Sequence, residues 1–384
     1  MKKSKKKISC LTGGYIVILL SCMILGNFSR AWSDSTPVDQ LVVGAAGAAT
    51  GSGAVSKEEK KTSPPAEAQK KKGLVKIATI GAAPLSVGGN TPPQKIVERM
   101  IDFWRGKLAQ VLPDRPDLIV LPEVCDRPGG LSQEKLFKYY QVRKDQIQKY
   151  FADVARKNNC YIVYPTHRIL EDGSWRNSGV LIDRAGEVAG IYNKNHPTIH
   201  GLEKGIRAGR KATIIECDFG RVGLAICFDL NFDELRLQYA QAKPDLIVFS
   251  SVYHGGLMQG YWAYSCRCHF VGAISGKGTP SEIRNPLGEV VATTTNYFDF
   301  VVATVNLDCE LAHLDYNWGR LRKLKAKYGP KVKITDPGLL APVLIASEHE
   351  TITVAEMIKE FEIELLDDYL ARSRAFRKKP GHVE

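Results

Sequence analysis

Residues 223–236 read GLAICFDLNFDELR. An apolar run stops at Cys227 and gives way at once to a polar stretch with helical spacing, which predicts a buried strand ending at a strand-to-helix turn. A cysteine in that place is either a buried small hydrophobe or a nucleophile held at a sheet end. Its meaning depends on what else the chain brings to such ends.

Working outward, LVKIATIGAA (74–83), DLIVLPE (117–123), CYIVYPTHRI (160–169), SGVLIDRAG (178–186) and EVAGIYNK (187–194) read as strands. ATIIECDFGRVGLAIC (212–227) reads as a hairpin, DLIVFSSVY (245–253) as a strand, and NPLGEVVATT with FVVATVNLD as a closing hairpin. Helical patterns fall between them: Ile96, Met100, Phe103, Trp104 and Leu108 share one face of 92–112, and KDQIQKYFADVARKNN (144–159) and NFDELRLQYAQAK (231–243) follow. YWAYSCRCHFVGAIS (261–275) reads as a helix passing into a strand. Hairpins intrude where a doubly wound sheet would place helices. The pattern therefore favours a layered α/β sandwich over a dinucleotide fold.

Three polar residues directly follow strand signals: Glu123, Lys194 and Cys227. Singly, each has an ordinary explanation as a solvated charge or a buried thiol. Together they form a chemical set. A thiol becomes a strong nucleophile when a base draws off its proton, and Glu123 supplies a carboxylate that can take that proton and later return it to a leaving amine. Lys194 supplies fixed positive charge where an oxyanion develops, and the Phe228 N–H at the following turn offers a second donor.

LIVLPE, YNK and GLAICFDLNFDELR, in that order, resemble the signatures of the nitrilase superfamily of carbon-nitrogen hydrolases, and VKIATI, NPLGEVV and VVATVNLD resemble its start and end. The resemblance covers 74–308. It implies a four-layer α-β-β-α sandwich, usually dimeric, with Glu123 as general base, Lys194 as oxyanion stabiliser and Cys227 as the nucleophile that forms a thioester. It also matches Glu203, in HGLEKGIRAG, to a supporting glutamate. The alternative for Glu203 is an ordinary surface charge beside Lys204. Nitrile-hydrolysing members carry Trp-Glu or Gly-Glu after the cysteine. Phe228-Asp229 resembles instead the Tyr-Asp of amidase-like members, which implies hydrolysis of a small-molecule amide without a cofactor. N-carbamoyl amino acid hydrolysis and nitrile hydrolysis remain the alternatives. Tyr253, His254, Trp175 and His200, loop residues near the motifs, are the candidates for lining a substrate pocket.

At 384 residues, with 44% hydrophobic and 24% charged residues, the chain is of ordinary globular composition. Its net charge of +12 is unevenly placed: residues 1–76 hold thirteen Lys/Arg against five acids, which leaves +4 for the remaining 308. A nucleic-acid-binding face is not expected. MKKSKKK followed by the uncharged run 8–28 makes residues 1–32 read as an export signal or an uncleaved membrane anchor, with a misassigned start as the third reading. The body would then be periplasmic or extracellular, with membrane contact through that segment alone. Residues 33–73, rich in Ala, Gly, Lys and Pro, read as a disordered linker. Residues 309–384 read as a helical C-terminal extension engaged in contacts between subunits of a homo-oligomer.

Two rival readings belong to other classes. One is a catalytically silent, membrane-tethered scaffold. The other is an N-acyltransferase, which the lack of further long apolar stretches disfavours. Cys266-Arg267-Cys268-His269 lacks a second Cys/His pair at zinc spacing, so no metal is expected. Gly276-Lys277-Gly278-Thr279 lacks the glycine spacing of a phosphate loop. Most of the seven cysteines beyond the apolar segment read as buried free thiols.

Overall fold

Along the first strand, Val75 and Ile77 point to one side while Ala78 and Ile80 point to the other, and all four are buried. That period of two, with both faces covered, is the signature of a strand inside a layered structure. A computed structural model describes residues 73–276 and 278–384 and shows what covers each face. The expected signal or anchor of 1–32 and nearly all of the expected linker lie outside the described residues.

In chain order the elements are β1 (Leu74–Ile80), α1 (Pro93–Leu108), β2 (Leu118–Val120), α2 (Gln133–Arg143), α3 (Gln146–Asn158), β3 (Tyr161–Ile169), β4 (Trp175–Ile182), β5 (Val188–Asn193) and α4 (Ile199–Glu203). There follow β6 (Ile214–Cys217), β7 (Gly220–Ile226), α5 (Asp233–Ala242), β8 (Leu246–Ser251), α6 (Leu257–Cys266), β9 (His269–Ile274), β10 (Glu282–Arg284), β11 (Val290–Thr293) and β12 (Phe300–Asn306). The chain ends with β13 (Cys309–His313), α7 (Trp318–Tyr328), β14 (Val332–Thr335), β15 (Pro342–Ser347), α8 (Val354–Glu360) and α9 (Leu366–Arg377).

Two six-stranded sheets result, in the orders β12-β1-β2-β3-β4-β5 and β11-β10-β9-β8-β7-β6. The central strands of each, β1 to β3 and β7 to β9, run parallel, while the flanking pairs are antiparallel. Parallel neighbours need crossovers, and the helices that supply them cover the outer faces. Ile96, Met100 and Trp104 of α1 with Ile147 and Phe151 of α3 bury the outer face of the first sheet, against Ala78, Ile80, Ile119 and Ile162. Leu235, Tyr239 and Trp262 of α5 and α6 cover the second. Between the sheets, Val75, Ile77 and Val120 meet Leu224, Ile226 and Val248. The Thr79 hydroxyl donates to the Gly272 carbonyl across this interface at 2.8 Å, and Ser250 Oγ donates to the Leu121 carbonyl at 2.8 Å. The expected four-layer α-β-β-α sandwich is the observed one.

Two details differ from the sequence expectation. FVVATVNLD does not pair with the strand before it: β11 closes the second sheet on β10, whereas β12 crosses to the edge of the first sheet and pairs with β1. The apolar patterns of the two segments are alike, and the partner is set by a crossing that local spacing does not encode. Residues 309–384 are not a simple helical extension. They form a third sheet, β13-β15-β14, packed with α7 and α8 around Leu324, Val343, Ile345 and Met357. PVLIAS is buried at every position, as a central strand requires. Leu311, Leu344 and Leu366 of this unit also pack on Leu287 of the sandwich. Among the described residues no helix is long and apolar enough to cross a membrane.

Candidate active site

The strand ends that the sequence singled out gather at one end of the sandwich. After β2 the chain continues through Leu121, whose N–H still reaches the Val163 carbonyl, then turns at Val124 with φ of 44°. This leaves Glu123 buried with its carboxylate facing β4 and β5. Glu123 Oε1 accepts hydrogen bonds from Lys194 Nζ at 2.8 Å and from Asn177 Nδ2 at 2.8 Å. Asn177, on β4, also receives the Lys194 backbone N–H on its carbonyl at 2.8 Å, so one residue fixes both partners of the ion pair. Its remaining acceptor, Oδ1, is buried without a hydrogen-bond partner among the described residues.

Cys227 opens the 3-10 turn Cys227–Asn231 directly at the end of β7, with φ of 50°. A left-handed non-glycine residue is strained and is held there by its surroundings. Here the holding group is Asp229, which is fully buried: its Oδ2 accepts the Ile226 N–H at 2.9 Å and the Tyr192 hydroxyl at 2.7 Å, while Oδ1 accepts the His196 N–H at 2.8 Å. The carbonyl of Cys227 accepts the Tyr253 hydroxyl at 3.1 Å, and Asn231 Nδ2 donates both to that hydroxyl and to the Phe228 carbonyl. The Phe228 N–H stands in the first turn of the helix, where geometry provides no intrahelical acceptor.

The electrostatics follow from burial. Desolvation works against the Lys194 charge, but the Glu123 carboxylate, together with Cys227 and Asp229, holds the ammonium above its ordinary value. Glu123 and Lys194 share a cavity with the Cys227 thiol and both act on it electrostatically. Burial first, then the negative charge of Glu123, push its pKa up to about 11 against the opposing pull of Lys194. At rest the sulfur keeps its proton, beside a carboxylate positioned to take it. All seven described cysteines are free thiols, Cys227 among them.

A cavity of about 490 Å³ opens onto these three residues, within the range of small-molecule sites. His167 and Trp175 line it, with Phe137 and Tyr140 of α2. Tyr140 hydroxyl lies 3.1 Å from His167 Nδ1, and burial pushes the His167 pKa down to about 4, so the ring is neutral near pH 7. A larger cleft, about 1010 Å³, holds the Lys107–Asp299 ion pair but none of the three strand-end residues.

Glu203, Tyr253 and His254 are placed differently from expectation. Glu203, at the end of α4, has an exposed side chain 4.0 Å from His200 and does not line the cavity, although His200 and Lys204 on either side do. The short helix turns its carboxylate toward solvent. Tyr253 supports the cysteine turn rather than facing the cavity, and the His254 ring lies 3.3 Å from Glu282, outside it. Asn177 was not singled out from the sequence. Its signal was a polar residue two positions after an aromatic one, at the head of the buried run SGVLI.

A family model described as carbon-nitrogen hydrolase matches residues 76–307. A hydrolase of Schizosaccharomyces pombe is 20% identical over 229 residues, covering 54% of this chain and 71% of that protein. An omega-amidase of Saccharomyces cerevisiae is 22% identical over 193 residues, covering 46% of this chain and 64% of its own length. Among solved structures, an amidase from Nesterenkonia sp. superposes with a TM-score of 0.52 at 16% identity, over 67% of this chain and 97% of that one. The matched span runs from β1 to the end of β12, taking in both six-stranded sheets and all three strand-end residues, and the chain belongs to the carbon-nitrogen hydrolase family.

Proposed function

We propose that this carbon-nitrogen hydrolase cleaves the amide bond of a small molecule through a Cys227 thioester. The observation that carries the reading is the arrangement around Glu123: one buried carboxylate bonded to Lys194 and Asn177 and lining the same cavity as Cys227.

In the first half-reaction the thiol proton passes to Glu123 as sulfur attacks the carbonyl carbon. Negative charge develops on the carbonyl oxygen, where the Lys194 ammonium and the Phe228 N–H stabilise it. The tetrahedral intermediate collapses as Glu123 returns the proton to the leaving nitrogen, which departs as ammonia or an amine. In the second half, Glu123 takes a proton from water as its oxygen attacks the thioester, and sulfur leaves carrying that proton. The carboxylic acid product departs, and the Glu123 carboxylate and the Cys227 thiol are restored.

Amides rather than nitriles are favoured by the Phe228-Asp229 pair and by the amidase and omega-amidase among the similar proteins. Both Asp229 oxygens are engaged within the fold, so this residue would act on the reaction through geometry, not by touching substrate. The test is ammonia release from a panel of primary amides, carbamoyl amino acids and nitriles. Amide turnover that is lost in Cys227→Ala supports the reading. Turnover confined to nitriles, or equal in parent and variant, contradicts it.

A further inference from the structure

The cavity over Cys227 has a chemical asymmetry that the reaction itself does not require. Glu123 is the sole carboxylate lining it, and Glu123 is already paired with Lys194. Two more cations line the same cavity from separate segments: Arg127, in the loop after β2, and Lys204, just after α4. Both are exposed, and neither side chain has an ion-pair or hydrogen-bond partner among the described residues. Elsewhere on this surface such cations are commonly paired, as in Lys138–Glu134, Arg156–Asp153 and Arg372–Glu364.

A second feature faces the same space. Phe137 and Tyr140 lie three residues apart on α2 and therefore share a face, and both meet the Trp175 ring, with centroids 5.6 and 5.4 Å away. These three rings form an apolar wall lining the cavity. Phe137 is 42% exposed, more than an aromatic ring placed only for packing would be.

Resting on the amide-hydrolase reading, we propose that the substrate is an amphiphilic amide: an aromatic or similarly broad apolar body that stacks on Phe137 and Trp175, which Tyr140 backs, carrying a carboxylate that Arg127 and Lys204 receive. The amide end then reaches Cys227. A charge contact gives discrimination because a neutral analogue leaves the cations solvated, whereas the anion gains a charge-assisted hydrogen bond. The same positive lining raises the local concentration of anions at low ionic strength.

The experiment compares 3-phenylpropanamide, 3-(4-carboxyphenyl)propanamide and propanamide with the full chain, at low and high salt. Expected is a kcat/KM for the carboxylated compound exceeding that of its neutral analogue on the order of tenfold, the worth of one hydrogen bond to a charged group. Propanamide, which lacks the ring, is expected to fall below both. The charge preference shrinks at high salt, narrows in Arg127→Ala/Lys204→Ala, and reverses toward the neutral compound in Lys204→Glu. A ratio at or below one in the parent, or the same ratio in all variants, overturns the proposal while leaving amide hydrolysis intact. A parallel arm asks whether 3-(4-carboxyphenyl)propanoate slows alkylation of Cys227 by iodoacetamide more than 3-phenylpropan-1-ol does. If no amide is cleaved but this selective protection is seen, the pocket assignment stands and the hydrolase reading fails. If neither cleavage nor selective protection is seen, both fail.

Discussion

Asp229 Oδ1 accepts the backbone N–H of His196 at 2.8 Å, so the turn that carries Cys227 is fastened to the segment that carries Lys194. The other carboxylate oxygen holds Ile226 and Tyr192, one residue before Cys227 and two before Lys194. A single buried side chain thus ties the Cys227 turn to the Lys194 segment. His196 is further held by stacking on Phe232, with ring centroids 3.8 Å apart.

Asp229→Ala is expected to leave three buried donors unpaired and to cost about 3 kcal/mol of stability. Asp229→Asn keeps the shape and should retain more stability while losing most activity. Urea unfolding and kcat/KM measured on both variants check this. Full activity in a destabilised Asp229→Ala would show that the link does not position the site.

Asn177→Ala removes a hydrogen bond to the ionised Glu123 carboxylate. The expected fall in kcat is on the order of tenfold to a hundredfold, with KM much less affected because Asn177 acts through Glu123. Steady-state kinetics on a reactive amide separate the two constants. A change in KM alone would place Asn177 in substrate binding instead.

Gly209 donates its N–H to the Lys194 carbonyl, and a Cβ built on it would lie 2.1 Å from the Asn193 carbonyl oxygen. That is backbone against backbone, which cannot be relieved by a side-chain rotation. Gly209→Ala should cost roughly 1–3 kcal/mol, the usual price of overpacking, and should lower kcat by shifting Lys194. Unchanged melting and unchanged turnover would show that the loop yields freely.

Much of the site was readable because strand ends are locally encoded. LIVLPE, GIYNK and GLAIC each carry an apolar run that stops at a polar residue, and the three side chains do converge. The supporting residues were less readable. Asn177 sits inside a strand whose neighbour is set by pairing with β3 and β5, and Arg127, Phe137 and Lys204 meet only because separate segments fold over one cavity. Glu203 was misplaced because a five-residue helix with no buried residue has little to fix its facing. The third sheet was missed because the amphipathic stretch AEMIKEFEIELL dominates the pattern of a segment whose strands are short.

Acid should destabilise the protein through its buried imidazoles. Burial pushes both His167 and His269 down to about 4, below the ordinary 6.5, so above pH 6.5 neither native nor unfolded chain is protonated there. Between pH 6.5 and 4 the unfolded chain binds the protons and the native state does not. Stability therefore falls across that window, by roughly 3 kcal/mol for each fully shifted histidine. Urea midpoints measured from pH 7 to 4 should decline, and His269→Gln should flatten part of the decline. A midpoint independent of pH over this range would contradict the assignment.

On the proposed mechanism, Glu123, Lys194 and Cys227 act as one unit to form and break a thioester. Acid-quenched peptide mass spectrometry during turnover of a primary amide tests it most directly. The expected result is an acyl adduct on the Cys227 peptide with stoichiometric ammonia release, and a loss of turnover of at least about a thousandfold in Glu123→Gln. Ammonia release that continues in Cys227→Ala, with no adduct on the parent, would contradict it.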